Sequence, residues 1–377
     1  MKNSIQPAVS TASPDGFSVR EARDLVRDLF EPSAVVYWTD FLLTITGGWI
    51  CFAWLRLGTS VAGQVVAYIG CVLLFYRAGS FIHELVHLRR ETYKAFHVVW
   101  NLLCGIPLLM PSYMYETHVA HHARNHYATP EDGEYLPLVH GRLRGLLVYL
   151  GQSLVIPALA VVRFLVLAPL GWLIPSSRRW IHQRASSLVM DPSYVRPLPS
   201  ARETRIWRIQ EVCCFLIVAY MAGRFFTGLM PWSALLKLYL LAVGVLLLNE
   251  LRTMGAHRFR FDGTREVTFL EQLLDSVNYP YRPWLTELWA PVGLRFHALH
   301  HLFPSMPYHR LPAAHYRLMA QLPADSPYRQ TVSTGLWATL GELVREIRVR
   351  TAAGRHEAAP LDGAAQRPLP HESPVGS

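Results

Sequence analysis

The sequence predicts an all-α membrane protein. It expects about four transmembrane helices in two hairpins, with a cytoplasmic helical cap that holds a histidine-rich di-metal site. Three observations predict this: four apolar blocks of bilayer-spanning length, arginine clusters at the ends of those blocks, and eight histidines gathered in three short clusters.

Hydrophobic residues make up 51% of the 377, a modest average that hides concentrated blocks. Residues 35–57, 61–77, 210–230 and 233–249 are each nearly free of charge. Each is close to the roughly 20 residues that cross a hydrocarbon layer. The two shorter ones are accommodated by tilt or local thinning.

Charge sets the orientation. Arg20, Arg23 and Arg27 precede the first block, and Arg77, Arg89, Arg90 and Lys94 follow the second. Arg202, Arg205 and Arg208 precede the third, and Arg252, Arg258 and Arg260 follow the fourth. The two hairpin turns carry almost no charge, so the positive-inside rule puts both termini and all three histidine clusters in the cytoplasm. The expectation is a multi-pass protein of a bacterial inner membrane. Residues 145–174 are also apolar, but Pro157, Arg163, Pro169 and Gly171 interrupt them and basic residues flank both ends. A re-entrant or interfacial pair of helices fits that pattern.

Four segments follow: a cytoplasmic stretch 1–34, a membrane-embedded catalytic domain 35–320, a helical segment 321–351, and a tail 352–377. The tail is rich in Ala, Pro, Gly and charge and reads as disordered. The net charge of +9 is mostly cytoplasmic arginine, suited to topology, anionic lipid or an acidic electron carrier. No nucleic-acid motif accompanies it. All five cysteines lie in apolar segments without a CxxC pair, which leaves no cysteine-based metal site.

The histidines carry the chemistry. His83 and His87 form HELVH; His118, His121 and His122 form HVAHH; His297, His300 and His301 form HALHH. On helices these spacings put the imidazoles of each cluster on one face. Eight imidazoles exceed what one metal accepts, so the pattern argues for two metals in a shared cage. His257 follows the fourth block as His83 and His87 follow the second, which makes it a ninth candidate. HELVH also matches the zinc-protease HExxH pattern, but that reading leaves both HxxHH clusters unused. A metal transporter would place its site at mid-membrane, away from these clusters. Glu84 is expected to hold a ligand imidazole by its ring N–H. Asp132 and Glu134 are candidates for the same role, although loop carboxylates are more often exposed. His126 is a further possible ligand, and His309 is expected to be structural. Unactivated C–H bonds of a lipid chain require an oxidant made at a redox metal, which selects iron over zinc.

With HELVH at 83–87, HVAHH at 118–122 and HALHH continuing as HLFPSMPYH to His309, the chain resembles the integral-membrane fatty acid desaturases and their hydroxylase relatives. The resemblance covers roughly residues 35–320. It implies a di-iron centre held by His83, His87, His118, His121, His122, His257, His297, His300 and His301, with O2 as co-substrate. It further implies an acyl-lipid, acyl-CoA or acyl-carrier substrate and an external electron donor. No cytochrome b5 or flavin fingerprint is present, so a ferredoxin, rubredoxin or cytochrome-type carrier with its reductase is expected. Fatty acid desaturation is the leading expectation. Hydroxylation, ketolation or epoxidation of a lipid or isoprenoid is the alternative. Relatives that place an asparagine four residues before the ninth histidine have Thr253 as their counterpart here, so that water-mediated contact does not carry over.

Overall fold

The structure, a computed structural model, describes residues 17–58, 60–135, 143–261, 263 and 265–357, the last five by backbone alone. Residues 1–16 of the expected N-terminal stretch and 358–377 of the expected tail lie outside these residues. Among them helices are the only extended elements, and β-structure is limited to isolated bridges.

A short helix α1 (Val19–Leu25) leads into α2 (Ala34–Leu57) and α3 (Val61–His87), a tightly packed hairpin. The α3 helix does not stop where its apolar block ends at residue 77. It continues for almost three turns and carries His83 and His87 on a rigid extension of the span. Helices α4 (Lys94–Trp100) and α5 (His118–His122) follow, joined through a π-turn and a 3-10 turn. Next come α6 (Leu143–Gln152), α7 (Ile156–Val162), α8 (Ala168–Leu173) and α9 (Pro175–Arg184). The second long hairpin is α10 (Ala201–Phe226) and α11 (Trp232–Met254). The remainder, α12 (Phe269–Asp275), α13 (Pro283–Trp289), α14 (His297–Leu302), α15 (Leu311–Gln321) and α16 (Leu336–Glu357), forms the cap. The expected boundary at residue 351 falls inside α16.

Among the described residues five helices, against the roughly four expected, are long and apolar enough to cross a membrane. The fifth is Ile156–Leu173, where α7 and α8 join through a π-turn over Arg163–Leu167. The features read as interruptions are absorbed. Pro157 sits in the first turn, where no intrahelical donor is lost, and Pro169 follows directly on the π-turn. Arg163 is buried, paired with Glu211 of α10, and bonded to Tyr113, Ala185 and Ser186. Leu43, Ile50, Val65, Val66, Leu216 and Leu236 are exposed along these helices, as expected for surface solvated by lipid.

Helix α3 is central. Of its apolar window 56% is buried inside the chain, against 11% for α11, so α3 is clasped by its neighbours while α11 faces outward. Small residues allow the close approach. A Cβ on Gly244 of α11 would stand 2.5 Å from the Tyr68 hydroxyl, and one on Gly70 would stand 2.9 Å from Cys51 Sγ. Below the clasp, Tyr37, Phe41, Phe81, Phe96 and Tyr308 pack edge to face and seat the histidine-bearing end of α3.

Candidate metal centre

All nine histidines singled out in the sequence converge. His83, His87, His118, His122 and His300 form one group, and His121, His257, His297 and His301 form another. Within each group one ring nitrogen per residue lies within 4.8 Å of all the others. Each HxxHH box is helical and splits its histidines between the two groups, so α5 and α14 bridge both. His118 and His122 reach one group and His121 the other. His297 and His301 mirror this, with His300 crossing over.

The donor chemistry fits cations. Asp132 takes the His121 Nδ1–H at 2.8 Å, and Glu134 takes that of His118 at 2.8 Å. In the neutral tautomer that these hydrogen bonds select, Nε2 carries the lone pair. His118 Nε2 faces His122 Nε2 at 2.9 Å, and His121 Nε2 faces His257 Nε2 at 3.2 Å. His257 and His297 meet at 2.9 Å, and His122 and His300 at 3.1 Å. So many imidazole nitrogens turned toward one another repel unless a cation lies among them. Protons do not fill that role. Burial, then the neighbouring imidazoles, holds His118, His122, His257, His297, His300 and His301 well below the ordinary histidine range. His121 is the exception. Burial lowers it, but Asp132, Glu134 and Asp275 raise it overall.

A polar shell orients the rings. Asp132, 2% exposed, also accepts the Ala128 and Glu134 amides, so the loop after α5 folds back over its own helix. Glu134 additionally accepts from Tyr115, and burial, opposed by His121, pushes its carboxyl up to about 7. Gln272 of α12 lies 3.2 Å from His301 Nδ1 and reaches the backbone carbonyls of His121 and His122. Tyr127 donates to Asp275 at 2.6 Å and approaches His257 Nδ1 at 2.9 Å. A backbone bridge from His257 to Ser276 fixes the strand-like segment after α11. Asn278, fully buried, accepts the Leu299 amide and pins α14 to the 3-10 turn at Thr331. Two residues of these flanking loops, Ala128 and Phe259, hold positive φ angles of 60° and 52°.

Three sequence expectations need comment. Glu84 does not hold an imidazole by its ring N–H. Its carboxylate accepts from Tyr37 and from the Tyr308 amide, and His83 Nδ1 lies 3.9 Å away. Neighbouring residues on a helix point about 100° apart, so Glu84 cannot share the face of His83. His126 stands outside both groups, paired with Glu131 at 2.7 Å and partly exposed. His309 also stands outside both groups and accepts the Ser33 amide at the start of α2. Gln272, Asp275, Tyr127 and Asn278 had no recognisable signal, because their partners lie far off in sequence.

The fatty acid desaturase family model matches residues 59–332. The chain is also 38% identical over 341 residues to a protein of Caulobacter vibrioides described as a ceramide hydroxylase, covering 90% of this chain and 97% of that one. The match extends beyond the three boxes to nearly the whole length of both proteins. The chain belongs to the fatty acid desaturase family of membrane oxidoreductases.

Proposed function

We propose that the chain is a di-iron, O2-dependent hydroxylase of an amide-linked membrane lipid of the ceramide class. The observation that carries this reading is the near full-length similarity to a protein described as a ceramide hydroxylase. It changes the emphasis of the sequence expectation, in which desaturation led and hydroxylation followed. Desaturation of an acyl chain remains the second reading, favoured by the family description.

The nine histidines are the proposed ligands, five in one group and four in the other. Iron held there supplies, when bound, the O2 activation that breaking an unactivated C–H bond requires. The chain's own part is positional. Asp132 and Glu134 keep His121 and His118 in the tautomer that presents Nε2 to the site. Tyr127, Ser276 and Gln272 hold His257 and His301. Burial of nearly every ligand excludes bulk water. Two electrons and two protons per turnover balance insertion of one oxygen atom into the lipid and release of the other as water. The electrons come from a separate ferredoxin, rubredoxin or cytochrome-type carrier that docks on the arginine-rich cytoplasmic face. The zinc-protease reading is disfavoured because Glu84 is engaged by Tyr37 and the Tyr308 amide, and because it leaves both HxxHH boxes unused.

The test is metal content of the detergent-purified protein together with mass spectrometry of lipids from cells producing it. Two irons per chain with new hydroxylated amide lipids is the expected result. New double bonds would move the assignment to desaturation, and zinc with unchanged lipids would refute both.

A further inference from the structure

A buried cation next to the metal centre has no counterpart in the ligand set. Arg252 lies in the last turn of α11, one turn before His257, and is 7% exposed. Its Nε and Nη2 are buried and have no hydrogen-bond partner among the described residues. Its positive charge bears on His118 in one histidine group and on His257 and His297 in the other. It also bears on Glu134 and Tyr115. The guanidinium therefore lies within electrostatic reach of both groups. Glu134 Oε1, a buried acceptor in the same neighbourhood, is likewise without a partner.

Desolvating a guanidinium without satisfying its N–H groups is expensive, and a neighbouring site built for cations makes it more so. A simple methylene chain passing the metals would call only for an apolar lining. An arginine with free donors calls for an oxygen-bearing group, which its planar fork binds with defined direction.

We propose that Arg252 is a substrate-positioning residue that holds an oxygen of the lipid's polar head, an amide carbonyl or hydroxyl. The consequence is regiochemical. The carbon brought to the metals lies within a few bonds of that oxygen, near the polar end of the lipid and not in mid-chain. The inference rests on the proposed function for the identity of the lipid class, and adds which end of the lipid is oxidised.

The test is lipid binding to the iron-loaded, detergent-purified protein by native mass spectrometry, with N-palmitoylsphinganine as probe and hexadecane as headless control. The wild type is expected to prefer the amide lipid. Arg252→Gln is expected to weaken that lipid about 10-fold or more, the worth of a hydrogen bond to a charged group, with hexadecane binding and iron content unchanged. The wild-type product is expected to carry its new oxygen near the head, located by tandem mass spectrometry. Absence of a wild-type preference, unaltered binding by the variant, or loss of iron from it would each overturn the proposal. If Arg252→Gln does not accumulate, Arg252→Lys decides: severalfold weaker binding supports the fork, and unchanged binding overturns it. Because binding is read without turnover, a wild type that forms no oxidised lipid would sink the proposed function and leave Arg252 decided separately.

Discussion

Replacing Asp132 by Asn isolates the role of one carboxylate with almost no change in shape. Both Asp132 oxygens lie at hydrogen-bond distance from His121 Nδ1, at 2.8 and 3.0 Å, while they also accept the Ala128 and Glu134 amides. Asparagine keeps one acceptor and replaces the other by a donor. A hydrogen bond to a charged group is worth about 1.5–3 kcal/mol and a neutral one about 0.5–1.5 kcal/mol, so the exchange costs on the order of 1–2 kcal/mol. If the amide NH2 turns to Nδ1, His121 must move its proton to Nε2, which removes the lone pair that faces His257. Both routes converge on a metal affinity lowered about 10-fold or more, in line with losses known for partners of ligand imidazoles. The assay is iron retention by the purified variant against a graded chelator, beside its melting temperature in detergent. Iron held as tightly as in the wild type, in a protein that melts normally, would refute the orienting role of Asp132.

Other consequences follow from the same geometry. His122→Ala is expected to lower iron content and abolish lipid oxidation, while His126→Ala keeps both, because only His122 belongs to a histidine group; metal analysis of the pair checks this. Arg163→Met leaves Glu211 buried without its cation and is expected to destabilise by about 3–5 kcal/mol. Adding Glu211→Leu is expected to restore most of the melting temperature. His315, buried against Tyr328, is held down to about 4 by burial and then by Arg295. A histidine whose folded pKa is depressed contributes stability above its ordinary value of 6.5, and that contribution is lost as pH falls from 6.5 toward 4. The loss is at most about 3 kcal/mol. Melting curves of the iron-loaded protein at pH 7.5 and 5 are expected to show a smaller drop for His315→Gln than for the wild type.

The two histidine groups were legible because helical spacing is a local property. Residues three and four apart share a face whatever the rest of the chain does, so HELVH and the two HxxHH boxes announced themselves. His257 was reachable only through its position after a span. The residues that orient the ligands were not legible, since each acts across a large gap in sequence. Asp132 and Glu134 sit in a loop whose composition reads as exposed. Only the loop's return over α5 buries them, and that return is stabilised by the same carboxylates. Arg163 was misjudged for a similar reason: alone it breaks an apolar run, and with Glu211 it becomes the tie between Ile156–Leu173 and α10. Glu84 departs from its expected role because adjacent helical residues diverge.

The facing imidazole nitrogens also bear on how the protein is made. The two groups draw on α3, α5, the segment after α11, and α14, so neither is complete until the third box has left the ribosome. Under the proposed function, cation capture is a late step of biogenesis. It would replace mutual repulsion among the rings with shared attraction and lock the cap against the membrane helices. A cell starved of the metal would accumulate chains inserted in the bilayer but with a loosened cap, an opening for quality-control proteases. Protein yield, and not only activity, is expected to follow metal supply during expression.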